Sequence, residues 1–264
     1  MDADRAARHP CDCILDYPGF PTDKRDYYSL ARYYHPNPDT PNGLPYVSRD
    51  GVFNPESVRG PKSAIGRLAA DALCLGMAGL FIDTEYARIA MHRLHRWFID
   101  DSSAMNANLN HAQAKLGIND GSACGTIDSH TWINLVLGLE LLERALGTSE
   151  FFDGMRNWFG RYADWLYTSE LGRGARDIGN NISAWWAAQI MIYAGYSAKG
   201  TPGVNDCTAL YRDFIDTRMD ERGCFVGELC RTRSLHYNLF CLTAMVLIAA
   251  SGDGALWHYR GPHG

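Results

Sequence analysis

Residues 63–75 read SAIGRLAADALCL, and in this stretch Ile65, Leu68, Ala72 and Leu75 recur at intervals of three and four. A helix turns once every 3.6 residues, so this spacing places all four side chains on one face and predicts an amphipathic helix seated on a core. The same period persists down the chain. After a turn near Asp83 and Thr84, Tyr86, Ile89, Leu94 and Trp97 supply a second helix, and residues 131–146 a third. Phe152, Met155, Phe159, Tyr162 and Leu166 step by three and four through a fourth, which carries an aromatic stripe. Residues 185–196, 210–218 and 235–250 give three more, while strand-like alternation is nearly absent. Helices that arrive in pairs across short turns, with longer loops at 99–129 and 168–180, predict an all-α fold. The layout suits an (α/α) toroid, whose loops gather at one end to build a cleft, better than its rival, a helical bundle.

Upstream of this pattern, residues 17–62 hold eight prolines, with the pairs Tyr27-Tyr28 and Tyr33-Tyr34 between them. Disordered linkers are poor in aromatics, so this irregular segment is expected to pack on the helical body or line its cleft. No linker interrupts the middle of the chain. Residues 1–264 are therefore read as one domain, with an irregular segment at 1–62 and a helical toroid at 63–250.

Hydrophobic residues make up 46% of the 264 residues and aromatics 12%, enough to bury a full core. A formal charge of -5, without any basic stripe, argues against a nucleic-acid partner. The start, MDADRAARHPCDC, lacks the apolar stretch of a secretory signal, and no run reads as the roughly 20 apolar residues of a membrane span. The expectation is a soluble chain that works inside the cell, unless a signal precedes it. None of the eight cysteines has the C-x-x-C spacing of a zinc site, so no metal is expected. Cys74 and Cys241 fall in apolar runs as buried thiols, and Cys207, Cys224 and Cys230, nearer to turns, are candidates for a disulfide.

Three segments hold the polar chemistry. The loop after Asp100 is rich in amides, with Asn106, Asn108 and Asn110 beside His111. Asn in loops commonly serves turns, but amides beside a histidine also match the paired donors and acceptors that sugar hydroxyls require. Asn180 and Asn181 precede Trp185 and Trp186, either as helix caps or as a subsite where an amide meets a carboxylate and an aromatic face meets a sugar ring. Arg231 and Arg233 stand before the last apolar helix, against its dipole. They either form a solvated salt bridge to Glu228 or create an anion site.

Taken together these segments resemble the alginate lyase family. The likeness is carried by Ser29 to Tyr34 with Pro38 to Pro41, by Pro45 to Gly51 with Asn54-Pro55, and by Trp97-Phe98 with Met105-Asn106, Asn108 to Asn110 and Ala112-Gln113. It continues through Asn180-Asn181 with Trp185, and Glu228-Leu229 with Arg231-Thr232 and Ser234 to Tyr237. The resemblance implies β-elimination on a uronic-acid polysaccharide of the alginate or polyglucuronate type, without a cofactor. Asn181 and Arg231 would neutralise the uronate carboxylate, with Arg233 a further candidate, and Tyr237 would act as acid, or as acid and base together. His236 beside Tyr237 is a further catalytic candidate. Asn180, Trp185, Asn110, His111 and His130 are expected to bind substrate, and Arg32 and Tyr34 to belong to a lid.

One position departs from the family, which has His directly after the paired Asn where this chain has Ile182. Three readings follow: Tyr237 acts alone, a nearby histidine among His236, His130 and His111 substitutes, or the chain only binds uronans. A glycoside hydrolase on the same toroid is a further alternative. It requires two opposed carboxylates roughly 5–9.5 Å apart, for which Asp100, Asp101, Asp128 and Glu228 are the suppliers. The family is usually secreted or periplasmic, and the chain is short for it, so a terminal helix pair that closes the ring is expected to be missing.

Overall fold

Pro61 stands in the first turn of the helix that the periodicity predicts, where its missing N–H has no intrahelical bond to forgo. The computed structural model describes residues 2–197, 203–252 and 254–263. A short α1 (Ala3–Ala7) precedes that long helix, α2 (Pro61–Phe81), and α3 (Thr84–Phe98) follows it. Then come α4 (Ile133–Leu146), α5 (Glu150–Thr168), α6 (Glu170–Asp177), α7 (Asn181–Tyr196), α8 (Val204–Thr217), α9 (Val226–Leu229) and α10 (Ser234–Ser251). Helix α2 packs on α3 and α4, α5 on α7, and α7 on both α8 and α10. This succession of paired helices is an incomplete (α/α) toroid. Helix α7 is apolar on every side because it has neighbours on every side, and nearly all of Asn181 to Ala194 is buried.

The close crossing of α2 against α4 is made by glycine. A Cβ on Gly138 would lie 2.6 Å from the carbonyl carbon of Ala72, and one on Gly76 would lie 3.0 Å from the carbonyl oxygen of Gly138. Deeper in the ring, Trp132, Trp158 and Tyr162 pack together at centroid distances of 5.3–6.0 Å. Beside them lies a buried polar knot. Ser129 Oγ bonds the Tyr162 hydroxyl at 2.6 Å and the Gln189 side chain, while Tyr193 donates to the Ser129 carbonyl at 2.5 Å. The knot ties the 3-10 stretch Ala123–Trp132 to α5 and α7. That stretch is the platform from which Asp128 and His130 project.

Several expectations change. The segment 168–180, read as a loop, contains α6: Ser169 accepts from the Gly172 N–H and Ala175 is fully buried, which offsets two glycines in its ELGRGARD sequence. Helix α8 begins six residues before Leu210. Within the 99–129 loop, β4 (His111–Ala114) pairs in parallel with β1 (Tyr28–Leu30), and β2 (Tyr34–His35) pairs antiparallel with β3 (Val47–Ser48). These small sheets fasten the proline-rich segment to the body. Cys207, Cys224 and Cys230 are all free thiols, Cys207 inside the core, so no disulfide joins them. By length and composition α2 and α10 would each suffice to cross a membrane, contrary to the sequence reading. For α2 the apolar character is that of a core helix, whereas α10 leaves Leu235, Leu239, Leu242 and Val246 exposed along its outer face.

Candidate active site

A cleft of about 480 Å³, within the ~300–1,000 Å³ usual for ligand sites, opens between the β1–β3 segment, the 3-10 stretch and the N-terminal ends of α7 and α10. Asn181, Arg231 and Tyr237 all line it, although they stand up to 56 residues apart in the chain. Asn180 is the N-cap of α7, its side chain accepting from the Ile182 N–H at 2.9 Å. That cap places Asn181 in the first turn, where its backbone N–H and its side-chain Nδ2 both donate to Glu228 Oε1, at 2.7 and 2.8 Å. A carboxylate only accepts, so it fixes which end of the Asn181 amide is nitrogen. Glu228 is itself 1% exposed, and its Oε2 has no hydrogen-bond partner among the described residues.

Arg231 does not pair with Glu228, as the simplest sequence reading had it. Its Nη2 donates to Asp50 Oδ1 at 2.7 Å, and its guanidinium lies 3.9 Å from the centroid of the Tyr237 ring. The bond from Arg231, helped by Thr232, holds the Asp50 carboxyl down at about 2. Gly51 makes the approach feasible: at φ +74° it sits so near the Thr232 hydroxyl that a Cβ would collide with it. Tyr237 is buried and its hydroxyl lies 2.6 Å from that of Tyr33. Burial, together with the Tyr33 bond, pushes the phenol well above its ordinary range despite the opposing pull of Arg231. The Tyr237 phenol is therefore protonated at neutral pH.

The opposite wall is basic. Lys62 donates to Asp128 Oδ1 at 2.7 Å, and Gln113, Tyr27 and Ser29 also bond that carboxylate. Burial favours the protonated acid, but Lys62 and these hydrogen bonds keep Asp128 below the ordinary range. Gln113 lies in the left-handed region at φ +50°, a strained position for a residue with a side chain, on the cleft wall. Lys115 lies 4.7 Å over the Tyr34 ring and Arg32 5.1 Å over Phe53, and neither ion-pairs with a described carboxylate. Among the described residues that line it, four cations face two carboxylates, so this lining is net positive in a chain whose net charge is -5.

The histidines are sorted by position. His130 lines the cleft, its Nδ1 2.6 Å from the Ile127 carbonyl oxygen and its ring edge-on to Trp185 and Phe240. His236 is exposed at the rim, stacked on Phe240 and edge-on to Tyr237. His111 lies outside the lining, against Phe20 and 3.5 Å from Asp26. Asn110, also outside, accepts from the Trp165 indole, and Arg233 precedes α10 without facing the cleft. Trp185 is 4% exposed, so its ring supports His130 and Phe240 and offers no face to a sugar. Tyr34 and Arg32 do line the cleft. The carboxylates needed by a hydrolase are engaged: Asp128 by Lys62, Glu228 by Asn181, while Asp100 and Asp101 lie outside.

The sequence matches the alginate lyase family over residues 19–264. The chain belongs to the alginate lyase family. It is a polysaccharide lyase, and the family implies an acidic polysaccharide as substrate. The fold is similar to the crystal structure of an alginate lyase from Bacteroides ovatus, at a TM-score of 0.85 and 28% identity over 94% of this chain and 68% of that one. No curated protein sequence matches at a significant level. Beyond the residues that carry the family likeness, the cleft holds Lys62, Lys115 and Phe240, and it uses Tyr33, Asp50 and Gln113 in contacts that reading by segment did not anticipate. For Tyr33, Asp50 and Lys62 the crowding of tyrosine, proline and charge in residues 27–62 was the visible signal.

Proposed function

We propose that the chain cleaves a uronate-containing polysaccharide by β-elimination, with Asn181 and Arg231 holding the uronate carboxylate and Tyr237 protonating the departing O4. The carrying observation is the meeting of an amide, a guanidinium and a protonated phenol in one net-positive cleft. The C5 hydrogen of a uronate is weakly acidic because the carboxylate beside it is already charged. Hydrogen bonds from Nδ2 of Asn181 and from the guanidinium spread that charge and stabilise the enolate that forms as the proton leaves. Asp50 orients Arg231, and Glu228 orients Asn181, so that neither donor must reorganise when charge develops. Lys115 and Arg32 supply the contacts for neighbouring carboxylates along an acidic chain.

The test is a panel of alginate, its mannuronate and guluronate blocks, and polyglucuronate, followed by absorbance of the unsaturated uronate. At least one polymer is expected to yield that absorbance, and Tyr237→Phe to lose it. Binding by calorimetry without turnover across the panel would refute the lyase reading, as would reducing ends released without unsaturation.

A further inference from the structure

An elimination needs a base as well as an acid, and the state of Tyr237 leaves the first role open. A phenol held protonated by burial and by Tyr33 can give a proton to O4, but it has no lone pair basic enough to take one from C5. Ile182, at the head of α7, is an apolar part of the wall. One turn on, Trp185 presents its ring to an imidazole that arrives from elsewhere in the chain. That imidazole belongs to His130, carried on the 3-10 stretch that the Ser129 knot anchors to α5 and α7.

The tautomer of His130 follows from its partner. A carbonyl oxygen can only accept, so Nδ1 at 2.6 Å from the Ile127 oxygen carries the hydrogen, and in the neutral ring Nε2 carries the lone pair. Nε2 has no hydrogen-bond partner among the described residues, and the side chain lines the same cleft as Asn181, Arg231 and Tyr237. Trp185 and Phe240 hold the ring edge-on from two sides, at 5.0 and 5.2 Å between centroids. His236 lines the same cleft but is exposed, and among the described residues no hydrogen bond fixes its tautomer. Burial also holds the His130 imidazole below its usual range, which keeps the ring neutral and its lone pair available.

We propose that His130 is the general base, taking the C5 proton through Nε2. This rests on the lyase reading above. The lone pair of Nε2 bonds the C5 hydrogen, the C5–H pair becomes the C4=C5 double bond, and the C4–O4 pair leaves with O4, which receives the Tyr237 proton. Imidazolium and tyrosinate remain, and water returns one proton from the first to the second. One polymer fragment ends in an unsaturated uronate and the other in a free 4-hydroxyl.

The experiment compares wild type with His130→Gln and His236→Gln on the polymer that the panel selects. His130→Gln is expected to lower kcat by about 10²- to 10⁴-fold while binding by calorimetry stays within a few-fold, and His236→Gln to lower kcat less than His130→Gln does. Added imidazole is expected to restore part of the activity of His130→Gly. Should the substituted chains fail to fold, diethylpyrocarbonate on the folded His236→Gln protein, mapped by mass spectrometry, reads the same point. Carbethoxylation of His130 is expected to abolish turnover, and bound uronan to slow it. A His130→Gln variant that retains more than about a tenth of kcat, or full activity after His130 is carbethoxylated, would overturn the base assignment and leave the lyase reading standing. A wild type inactive on every polymer would overturn both.

Discussion

The hydroxyls of Tyr33 and Tyr237 lie 2.6 Å apart, although 204 positions separate the two residues. One comes from the tyrosine pair of the irregular segment and the other from the first turn of the last long helix, so the irregular segment completes the site. The bond has a thermodynamic sign. It stabilises the protonated form of Tyr237, so the folded phenol sits above its ordinary range and stays neutral through neutral pH. Replacing Tyr33 by Phe is expected to bring the Tyr237 titration down. The tyrosinate absorbance difference between Tyr33→Phe and Tyr33→Phe/Tyr237→Phe isolates that single group. The single variant is expected to cost about tenfold in kcat, the worth of one hydrogen bond, against about 10²-fold or more for Tyr237→Phe.

Glu228 holds Asn181 by two hydrogen bonds inside the core, so removing it strands two buried donors. Glu228→Ala is expected to lower stability by about 1–3 kcal/mol in urea unfolding. Glu228→Gln keeps an oxygen for both bonds and is expected to recover most of that loss. A Gln variant as unstable as Ala would show that the charge on Glu228, and not its acceptor geometry, holds the turn.

Asp50 and Arg231 make a half-exposed ion pair, with Asp50 held down at about 2. A depressed carboxyl contributes stability above its unfolded value, near 3.8, and loses it as pH falls through the folded value. Solvent screening limits the contribution to about 1 kcal/mol or less. Asp50→Asn is expected to be less stable than wild type by that amount at pH 7, with the gap narrowing from pH 4 toward pH 2. A gap that stays constant with pH would mean that the loop geometry, not the charge, carries the effect.

The helices were legible because their cores impose a 3.6 period on the sequence, and six of the seven read from it lie within a few residues of their observed bounds. Helix α6 was not, because ELGRGARD has no apolar period and owes its turn to the Ser169 cap and the burial of Ala175. The site divides in the same way. Asn181, Arg231 and Tyr237 stood in recognisable segments, whereas their partners Glu228, Asp50 and Tyr33 act across 47 to 204 positions, and pairing at that range is set by tertiary packing. Trp185 misled the reading for a related reason: an aromatic beside paired amides looks like a sugar platform until burial on the far side of His130 is known.

Gly138 tests the ring. Its missing Cβ would meet the backbone of Ala72 at 2.6 Å, and backbone cannot rotate away as a side chain can. Gly138→Ala is expected to destabilise the fold by about 1–3 kcal/mol, as overpacking does elsewhere, even though alanine favours helices. A melting temperature equal to or above that of wild type would mean that α2 and α4 separate without cost.

The charge of the cleft makes a prediction about salt. Lys115 and Arg32 rest on aromatic faces without a described carboxylate partner, so their fields reach the polymer unneutralised. Contacts at this exposure are worth about 0.2–1 kcal/mol each, which corresponds to roughly a one-and-a-half- to fivefold change in affinity. Lys115→Ala is accordingly expected to raise KM about two- to fivefold with little change in kcat, as the proposed contact to a neighbouring sugar, and not to the reacting one, requires. Raising ionic strength from about 0.01 M to 0.15 M shortens the screening length from about 30 Å to 8 Å and is expected to raise KM for wild type more than for Lys115→Ala. Equal salt dependence in the two proteins would remove Lys115 from the polymer's path.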